Sequence, residues 1–219
     1  MRKTYDIIVV DDHCMFRDAL KYLLAQSDCF NVIAEFSNGR EFLDMIDEYE
    51  ADLILMDIYM PVYDGIDTTR EAVKKHPGLK VLALTMSEEE ESYYKMLEAG
   101  AHGYILKTSG SKELFKAISM VLNGEDYFSN QVLCKIIKDL LQKKEITKCD
   151  PPKEVRLSKR ESDILELMCV GYSNNEIADK LGISRRTIEG HRSSLISKTG
   201  AKNSIQLAIY AMKNNLLSN

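Results

Sequence analysis

Residues 53–61 have the sequence LILMDIYMP, in which four consecutive apolar residues lead directly to a single carboxylate. A short, continuous apolar run of this kind is typical of a strand whose two faces are both covered, as in parallel α/β sheets. Four similar runs, at residues 6–10, 32–36, 81–85 and 103–106, alternate with longer amphipathic stretches, which is the pattern of successive βαβ units. Because such crossovers are right-handed, we predict a doubly wound, five-stranded parallel sheet.

The length and composition indicate a folded protein with two domains. Of the 219 residues, 45% are hydrophobic and 29% are charged, which excludes a disordered chain. The five cysteines are scattered without a CxxC pair, so we expect reduced thiols. No apolar run approaches the roughly 20 residues that cross a bilayer, and residues 1–6 lead into a strand pattern without a signal-type segment. We therefore expect a cytoplasmic protein that does not associate with membranes.

Residues 126–156 are expected to connect the two domains. From residue 129 to about residue 144, apolar residues recur at three- and four-residue spacing, which predicts an amphipathic helix. Pro151 and Pro152 follow among mixed charges, and paired prolines end helices and stiffen a linker. We therefore predict a first domain at 1–125, a linker helix and linker at 126–156, and a second domain at 157–219.

Helix-capping patterns predict the helices of both domains. A capping residue followed by Glu three positions later satisfies the backbone N–H groups of the first turn reciprocally. Gly182 permits a tight turn between two short helices, as in a helix-turn-helix. In the first domain, helices are predicted at Asn38 with Glu41 and at Ser87 with Glu90; in the all-α second domain, four helices begin at Ser158, Ser173, Ser184 and Asn203 and end near residues 169, 181, 199 and 214.

The charges divide unevenly between the two halves. Residues 1–152 contain 18 Lys and Arg against 27 Asp and Glu, a net charge of −9. Residues 153–219 contain 11 Lys and Arg against 7 Asp and Glu, a net charge of +4. Because attraction to phosphate acts locally, the second half is suited to nucleic acid although the whole chain is acidic.

Five polar residues follow or end strands of the predicted sheet. Asp11 and Asp12 follow the first strand, and Asp57 follows the third. Thr85 ends the fourth strand, and Lys107 comes directly after the fifth. The carboxyl ends of parallel strands lie at one edge of the sheet, where such folds bind ligands. We therefore expect three carboxylates, a hydroxyl and an ammonium group to face one crevice.

This combination of side chains has a chemical logic. Three clustered carboxylates repel one another unless a hard divalent cation lies among them, and Mg²⁺ prefers carboxylates, waters and phosphate oxygens. One carboxylate is then able to attack a phosphoryl donor while the ammonium group neutralises charge on the transferred oxygens. Asp57 is the best candidate for the nucleophile, and Lys107 for the neutralising group.

The first domain resembles the receiver domains of two-component response regulators, a resemblance that implies a flavodoxin-like fold. It covers about residues 5–125 and rests on the runs DDH at 11–13, MDIYMP at 56–61 with DG at 64–65, LT at 84–85 and GYILK at 103–107.

The receiver resemblance implies a role for each matching residue. Asp57 would accept phosphate from a sensor histidine kinase, and His13 would be a hydrogen-bonded neighbour of the acids. The resemblance also implies a switch in which the Thr85 hydroxyl moves toward the phosphate and the Tyr104 ring turns inward. The implied Mg²⁺ ligands are Asp11, Asp12, Asp57 and the backbone carbonyl of Tyr59, and the implied phosphoryl contacts are Thr85 and Lys107.

The second domain resembles the LuxR-type helix-turn-helix, so the whole chain is similar to NarL/FixJ-type regulators. The resemblance rests on residues 157–184 and on RRTIEGHR at 185–192 through KTG at 198–200. It implies a transcription factor, not an enzyme, that binds promoter DNA as a homodimer and works with RNA polymerase. The helix after Asn203 is either the dimer surface or plain packing within the domain.

Helical periodicity divides the third helix of this domain into two faces. Ile188, Leu195 and Thr199 are expected to face a small core, together with Ile177 and Leu181. By position, Glu189, Gly190 and Ser193 would contact bases. Direct contact at Gly190 is either weak or replaced by close approach of the backbone. The solvent-facing DNA contacts are predicted to be Ser184, Arg185, Arg186, Thr187, Glu189, Gly190, Arg192, Ser193 and Lys198.

Two other functions are compatible with parts of the pattern. The chain could bind DNA irrespective of phosphate, with the receiver acting as an interaction module. It could also be a phosphatase or phosphotransferase with an aspartyl-phosphate intermediate. The dehalogenase-like hydrolases carry a second Asp two residues after the nucleophile, whereas this chain has Tyr59, which weighs against the enzyme.

Overall fold

The computed structural model describes residues 4–86, 90–127, 157–170, 172–214 and 216, with the backbone alone for residues 90, 91, 170, 212 and 213. The chain divides into two compact units, Met1–Leu133 and Cys134–Asn219. Residues 128–156, which hold the predicted connecting helix and nearly all of the predicted linker, lie outside the described residues, as do the cap at Ser87, Cys134 and Cys149. No helix among the described residues combines the length and the apolar composition that a bilayer crossing requires.

The first unit is the predicted α/β fold. Its strands are β1 (Tyr5–Val10), β2 (Phe30–Phe36), β3 (Leu53–Asp57), β4 (Val81–Thr85) and β5 (Gly103–Leu106). Its helices are α1 (Cys14–Leu24), α2 (Gly39–Met45), α3 (Gly65–Lys75), α4 (Glu90–Ala99) and α5 (Ser111–Leu122). The five strands are all parallel, in the order β2-β1-β3-β4-β5. The strand order therefore reverses between β1 and β3, where α/β sheets open a crevice.

The sheet is buried on both faces, as the continuous apolar runs predict. Alternate residues of each strand point to opposite faces, so Leu53 and Leu55 of β3 pack with α1 and α5, whereas Ile54 and Met56 pack with α2 and α3. All four side chains are fully buried. This double covering fixes the sheet register, because a shift by one residue would exchange the two faces.

The chain after α5 returns to the outer edge of β5. The backbone N–H of Tyr104 donates to the Tyr127 carbonyl at 2.9 Å, and the Tyr127 N–H donates to the His102 carbonyl at 2.9 Å. Gly103 lies opposite Tyr127 in this parallel bridge. The bridge covers backbone groups that an edge strand would otherwise expose.

The second unit contains four described helices around one small core. They are α6 (Lys159–Val170), α7 (Asn174–Leu181), α8 (Arg185–Thr199) and α9 (Ser204–Lys213). Gly182 adopts φ 63°, the left-handed conformation that the predicted turn between α7 and α8 requires. The fully buried core side chains are Ile164, Leu165, Ile177, Ile188, Leu195, Leu207 and Ala211.

The predicted caps of the second unit form. Ser173 and Glu176 make a reciprocal capping box, and the Ser184 side chain accepts from the Thr187 N–H. Asn203 accepts from the Gln206 N–H at 2.9 Å. Each cap closes over three residues, which is why the sequence located these helix starts.

The last helix, α9, contributes both to the core and to the surface. Leu207 and Ala211 are fully buried in the core of the unit. Ile205, Ala208 and Ile209 are half-buried on the other side of the helix. Packing within the domain is therefore present, and the role of this helix as a dimer surface stays a prediction.

Candidate functional site

Three carboxylates and an imidazole converge at the crevice between β1 and β3. Ligand atoms of Asp11, Asp12, His13 and Asp57 all lie within 4.8 Å of one another. Asp11 comes directly after β1, Asp57 is the last residue of β3, and both are buried. His13 Nδ1 lies 2.8 Å from Asp12 Oδ1, so the imidazole is a neighbour of the acids as predicted.

Lys107 places its ammonium group between the two buried carboxylates. Its Nζ lies 2.7 Å from Asp11 Oδ2 and 2.7 Å from Asp57 Oδ2, and the Lys107 side chain is only 3% exposed. The backbone N–H of Lys107 donates to the Thr85 carbonyl, which ties the residue to the end of β4. The parallel sheet therefore brings one cation and three acids from the ends of different strands into one pocket.

The electrostatics of this pocket act against the ionised form of Asp57. The pKa of the Asp57 carboxyl is raised to about 6, mainly by burial and also by the charge of Asp11, while the Lys107 hydrogen bond and charge act in the opposite direction. One ammonium group therefore does not fully compensate the burial of these acids. An additional cation would favour the ionised Asp57.

Gly65 allows helix α3 to begin directly against the end of β3. A Cβ atom at position 65 would lie 1.9 Å from the Asp57 carbonyl oxygen, a distance that backbone atoms cannot accommodate. The Gly65 N–H donates to the Ile58 carbonyl at 2.9 Å, and the Asp64 side chain caps the helix at Asp67. This close approach sets the course of the loop that follows Asp57.

Thr85 and Tyr104 form a buried pair beside the acids. Both side chains are inside the unit, with Tyr104 only 5% exposed, and they are joined by a hydrogen bond. The Tyr93 ring packs edge-on against the Tyr104 ring, with 4.0 Å between centroids. The structure shows the inward orientation of Tyr104, and the predicted rearrangement between two orientations stays a prediction.

Helix α8 of the second unit has the two predicted faces. Ile188 and Leu195 are fully buried in the core, whereas Arg186, Thr187, Gly190 and Ser193 are exposed. The exposed side of the helix is thus polar and includes the exposed Arg186 in its first turn, a composition that suits contact with phosphates.

Other charged groups of α8 already have partners within the unit. Arg185 Nε lies 2.9 Å from Glu189 Oε1, one helical turn away. Lys198 Nζ lies 2.7 Å from both carboxylate oxygens of Glu161. These pairings leave Arg186 as the most exposed arginine at the start of the helix.

The prediction that Arg192 faces solvent is wrong. Its side chain is 9% exposed, and its guanidinium donates to Asn174 Oδ1 at 2.6 Å and to Ser204 Oγ. Position 192 lies four residues after Ile188 and three before Leu195, so it belongs to the core face of α8. Arg192 therefore joins α8 to the starts of α7 and α9 instead of presenting its charge to DNA.

The chain matches two protein families, one in each unit. Residues 7–119 match the response regulator receiver domain, and residues 155–211 match the LuxR family of bacterial regulatory proteins. The chain belongs to the NarL/FixJ family of two-component response regulators.

Full-length relatives share both domains with this response regulator. The response regulator protein VraR of Staphylococcus aureus (strain NCTC 8325 / PS 47) is 36% identical over 215 residues, which cover 98% of this chain and 99% of VraR. The transcriptional regulatory protein DegU of Brevibacillus brevis is 33% identical over 219 residues, covering 95% of this chain and 93% of DegU. The family is one of transcription regulators with a receiver and a DNA-binding domain.

Solved structures of response regulators are similar over nearly the whole chain. ChrA, from a heme-sensing two-component system, has a TM-score of 0.51 and 29% identity, covering 98% of this chain and 99% of ChrA. RcsB of Salmonella enterica serovar Typhimurium, bound to a promoter in the presence of the phosphomimetic BeF₃⁻, has a TM-score of 0.57 and 26% identity. The similarity covers 95% of this chain and 98% of RcsB.

The carboxylate oxygens of this response regulator fit a hard divalent cation. Asp12 Oδ1 is buried and lies beside only the His13 imidazole, and the three acids share a single ammonium group, which contacts Asp11 and Asp57. Carboxylate oxygens are the protein ligands that Mg²⁺ prefers. The donor set therefore agrees with the ion that the sequence predicts.

One contact beside the acids escaped the sequence analysis of the response regulator. Tyr59 Oη lies 2.5 Å from Ser92 Oγ of α4, and Ser92 is buried. The Tyr59 N–H donates to Asp57 Oδ1 at 3.3 Å. The loop after the predicted nucleophile is therefore attached to α4. No local spacing signals this contact, because the two side chains are 33 residues apart.

Proposed function

We propose that this response regulator accepts a phosphoryl group on Asp57 from a sensor histidine kinase and that phosphorylation controls dimerisation and sequence-specific DNA binding. The observation that carries the proposal is the position of Lys107 Nζ, 2.7 Å from both Asp11 and Asp57 in a buried cluster of acids. Such a buried cluster is costly for folding, and phosphoryl transfer gives these charges a chemical use. We assign the receiver to residues 1–125, the connecting segment to 126–156 and the DNA-binding domain to 157–219.

In the proposed reaction, a carboxylate oxygen of Asp57 attacks the phosphorus of a phosphohistidine. The new P–O bond forms as the P–N bond of the donor breaks, and the electron pair of that bond leaves with the imidazole. Lys107 contacts the transferred phosphoryl oxygens and neutralises part of their charge. Asp11, Asp12, Asp57 and the Tyr59 carbonyl would hold Mg²⁺, and the bound ion would supply positive charge to the phosphoryl group.

The proposed switch links the phosphoryl group to the surface through Thr85 and Tyr104. The Thr85 side chain is hydrogen-bonded to Tyr104. If the Thr85 hydroxyl turns toward a phosphoryl oxygen, Tyr104 loses this hydrogen bond. Because Thr85 and Tyr104 would then pack in two alternative arrangements, a local change of charge at Asp57 would alter the surface of the receiver. Phosphorylation then either promotes dimer formation or releases the DNA-binding domain.

The exposed face of α8 is the proposed DNA contact, and RcsB bound to a promoter is the comparison that supports it. One small module offers few phosphate contacts, so useful affinity needs two copies on paired half-sites. RNA polymerase is the further partner that we assign to the promoter-bound dimer. Arg192 is omitted because it is buried. The remaining proposed DNA contacts are Ser184, Arg185, Arg186, Thr187, Glu189, Gly190, Ser193 and Lys198.

Duplex affinity measured with and without beryllofluoride and Mg²⁺, across a salt series, tests the switch and the phosphate contacts together. The wild-type protein is expected to bind at least about tenfold more tightly with beryllofluoride, a typical coupling between two sites. Asp57→Asn should show no such gain. Asp44→Asn, a matched change of an exposed carboxylate on α2, should behave as wild type.

Phosphotransfer from radiolabelled acetyl phosphate identifies the acceptor directly. Asp57→Asn should lose the label and Asp44→Asn should keep it. Labelling of Asp57→Asn at the wild-type rate would contradict the acceptor assignment. Equal duplex affinity with and without beryllofluoride, on a protein that is labelled at Asp57, would favour DNA binding that does not depend on phosphate.

A further inference from the structure

Gly190 stands in the middle of α8, where neither the backbone conformation nor the packing requires glycine. The helix runs without interruption from Arg185 to Thr199, and Gly190 is not among the residues with positive φ. A Cβ atom built at position 190 meets no tertiary neighbour within 4 Å among the described residues. Glycine is the least favourable residue for a helix interior after proline. The domain therefore carries a residue that disfavours the helix, and no contact among the described residues compensates for it.

The side chains around Gly190 leave its backbone bare. The Glu189 carboxylate is drawn toward the N-terminus of the helix by Arg185, with 2.9 Å between Oε1 and Nε. The Ser193 hydroxyl donates back to the Glu189 carbonyl at 3.0 Å. The Ser194 hydroxyl donates to Glu161 Oε1 at 2.9 Å, so the two small side chains one turn after Gly190, Ser193 and Ser194, are both held by partners within the domain. The result is a shallow surface of helix backbone at the centre of the exposed face.

We propose that the missing side chain is itself a recognition feature, in which the edge of a DNA base pair packs directly against the backbone of α8 at Gly190. The major groove is about 12 Å wide and a helix with its side chains is about 10–12 Å across, so one bare position lets the helix sit deeper in the groove. Gly190 then determines specificity through shape instead of a hydrogen bond. This inference rests on the proposed function, because α8 must be the helix that enters the groove.

The test uses the full chain and a duplex that the wild-type protein itself selects from a randomised 20-base-pair pool in beryllofluoride and Mg²⁺. Gly190→Ala is expected to raise the melting temperature of the DNA-binding domain by roughly 3 °C, because Ala favours the helix. The same variant should bind the selected duplex at least about tenfold more weakly, the usual cost of overfilling a close-packed contact. Gly190→Leu should lose more affinity for the selected duplex, because leucine also favours the helix but adds a larger side chain at the contact.

Two controls separate a local contact from a general loss of binding. Ser197→Ala, at an exposed position two turns further along the same helix, should keep the wild-type affinity for the selected duplex. Gly190→Ala should keep the wild-type affinity for an unselected duplex, because that binding depends on phosphate contacts.

The outcomes distinguish this inference from the proposed function. A Gly190→Ala protein that is more stable and binds the selected duplex as well as or better than wild type overturns the inference. A wild-type protein that selects no sequence from the pool overturns the proposed sequence-specific binding instead. Equal weakening on selected and unselected duplexes also overturns the inference, because close packing against one base pair affects only the selected site.

Discussion

At the scale of single residues, burial decides whether a charged side chain stabilises the fold or is available to bind DNA. Arg186 and Arg192 are both on α8, yet Arg186 is exposed while Arg192 is buried between Asn174 and Ser204. A buried guanidinium with two hydrogen-bond partners is costly to remove, because its partners are then left unsatisfied. An exposed one contributes to binding mainly through phosphate charge.

Arg192→Ala is therefore expected to destabilise the DNA-binding domain by about 2–4 kcal/mol, measured by urea unfolding. Arg186→Ala should change stability by less than about 0.5 kcal/mol. In duplex binding, Arg186→Ala should reduce the slope of log Kd against log salt by about one. If Arg192→Ala were as stable as wild type and reduced that slope instead, Arg192 would be a phosphate contact.

Glu161 is a second residue whose role follows from burial. It is buried, and a hydrogen bond from Lys198 together with bonds from Ser158 and Ser194 lowers its carboxyl pKa to about 2. Because this folded-state pKa lies below the ordinary value of 4.5, the ionised group stabilises the fold above about pH 4.5 and loses that effect as the pH falls toward 2.

Glu161→Gln should accordingly cost about 2 kcal/mol of stability at pH 7, and the difference from wild type should shrink between pH 4.5 and 2. Glu176→Gln is the matched control, because Glu176 has the same capping position on α7 but is exposed, and it should show a smaller loss. Unfolding free energies of both variants across this pH range provide the measurement. A pH-independent loss in Glu161→Gln would rule out the charge as its cause.

At the scale of elements, the edge of β5 depends on the segment that follows α5. The backbone of Tyr127 pairs with β5 on either side of Gly103. A Cβ atom at position 103 would lie 2.8 Å from Leu82 Cδ1 and 3.0 Å from the Tyr127 carbonyl oxygen. Glycine is thus needed for the close approach of two backbone segments.

Gly103→Ala is expected to push Tyr127 away from β5 and to destabilise the receiver by about 1–3 kcal/mol. Hydrogen exchange should show lost protection at the Tyr104 and Tyr127 amides, which donate across this edge. Gly110→Ala is the control, because a Cβ atom there meets nothing within 4 Å in the described part of the chain. Unchanged exchange at both amides in Gly103→Ala would show that the edge tolerates the extra carbon.

At the scale of the whole molecule, the two units have separate hydrophobic cores. Ligand that binds one folded unit raises its stability by mass action, about 2.7 kcal/mol at a hundredfold excess over Kd. Beryllofluoride with Mg²⁺ should therefore raise the calorimetric transition of the receiver and leave that of the DNA-binding domain in place. Asp57→Asn should abolish the rise. An equal rise in both transitions would show that the two units unfold as one.

The sequence alone determined the features that depend on neighbouring residues. The strand alternation placed all five strands within two residues of their observed ends, and β2 begins at Phe30 where 32 was predicted. The caps at Ser173 and Ser184 were located because their hydrogen bonds span three residues. The convergence of Asp11 and Asp57 followed from parallel strand order, which places strand ends at one edge.

Only the tertiary structure decided contacts between residues that are distant in the chain. The pairing of Tyr59 with Ser92 and the return of Tyr127 to β5 join separate elements. The burial of Arg192 depends on partners supplied by α7 and α9, so charge alone misplaced it at the surface. The physical reason is that local backbone hydrogen bonds and periodicity act within a few residues, whereas side-chain partners are assigned by how the elements pack.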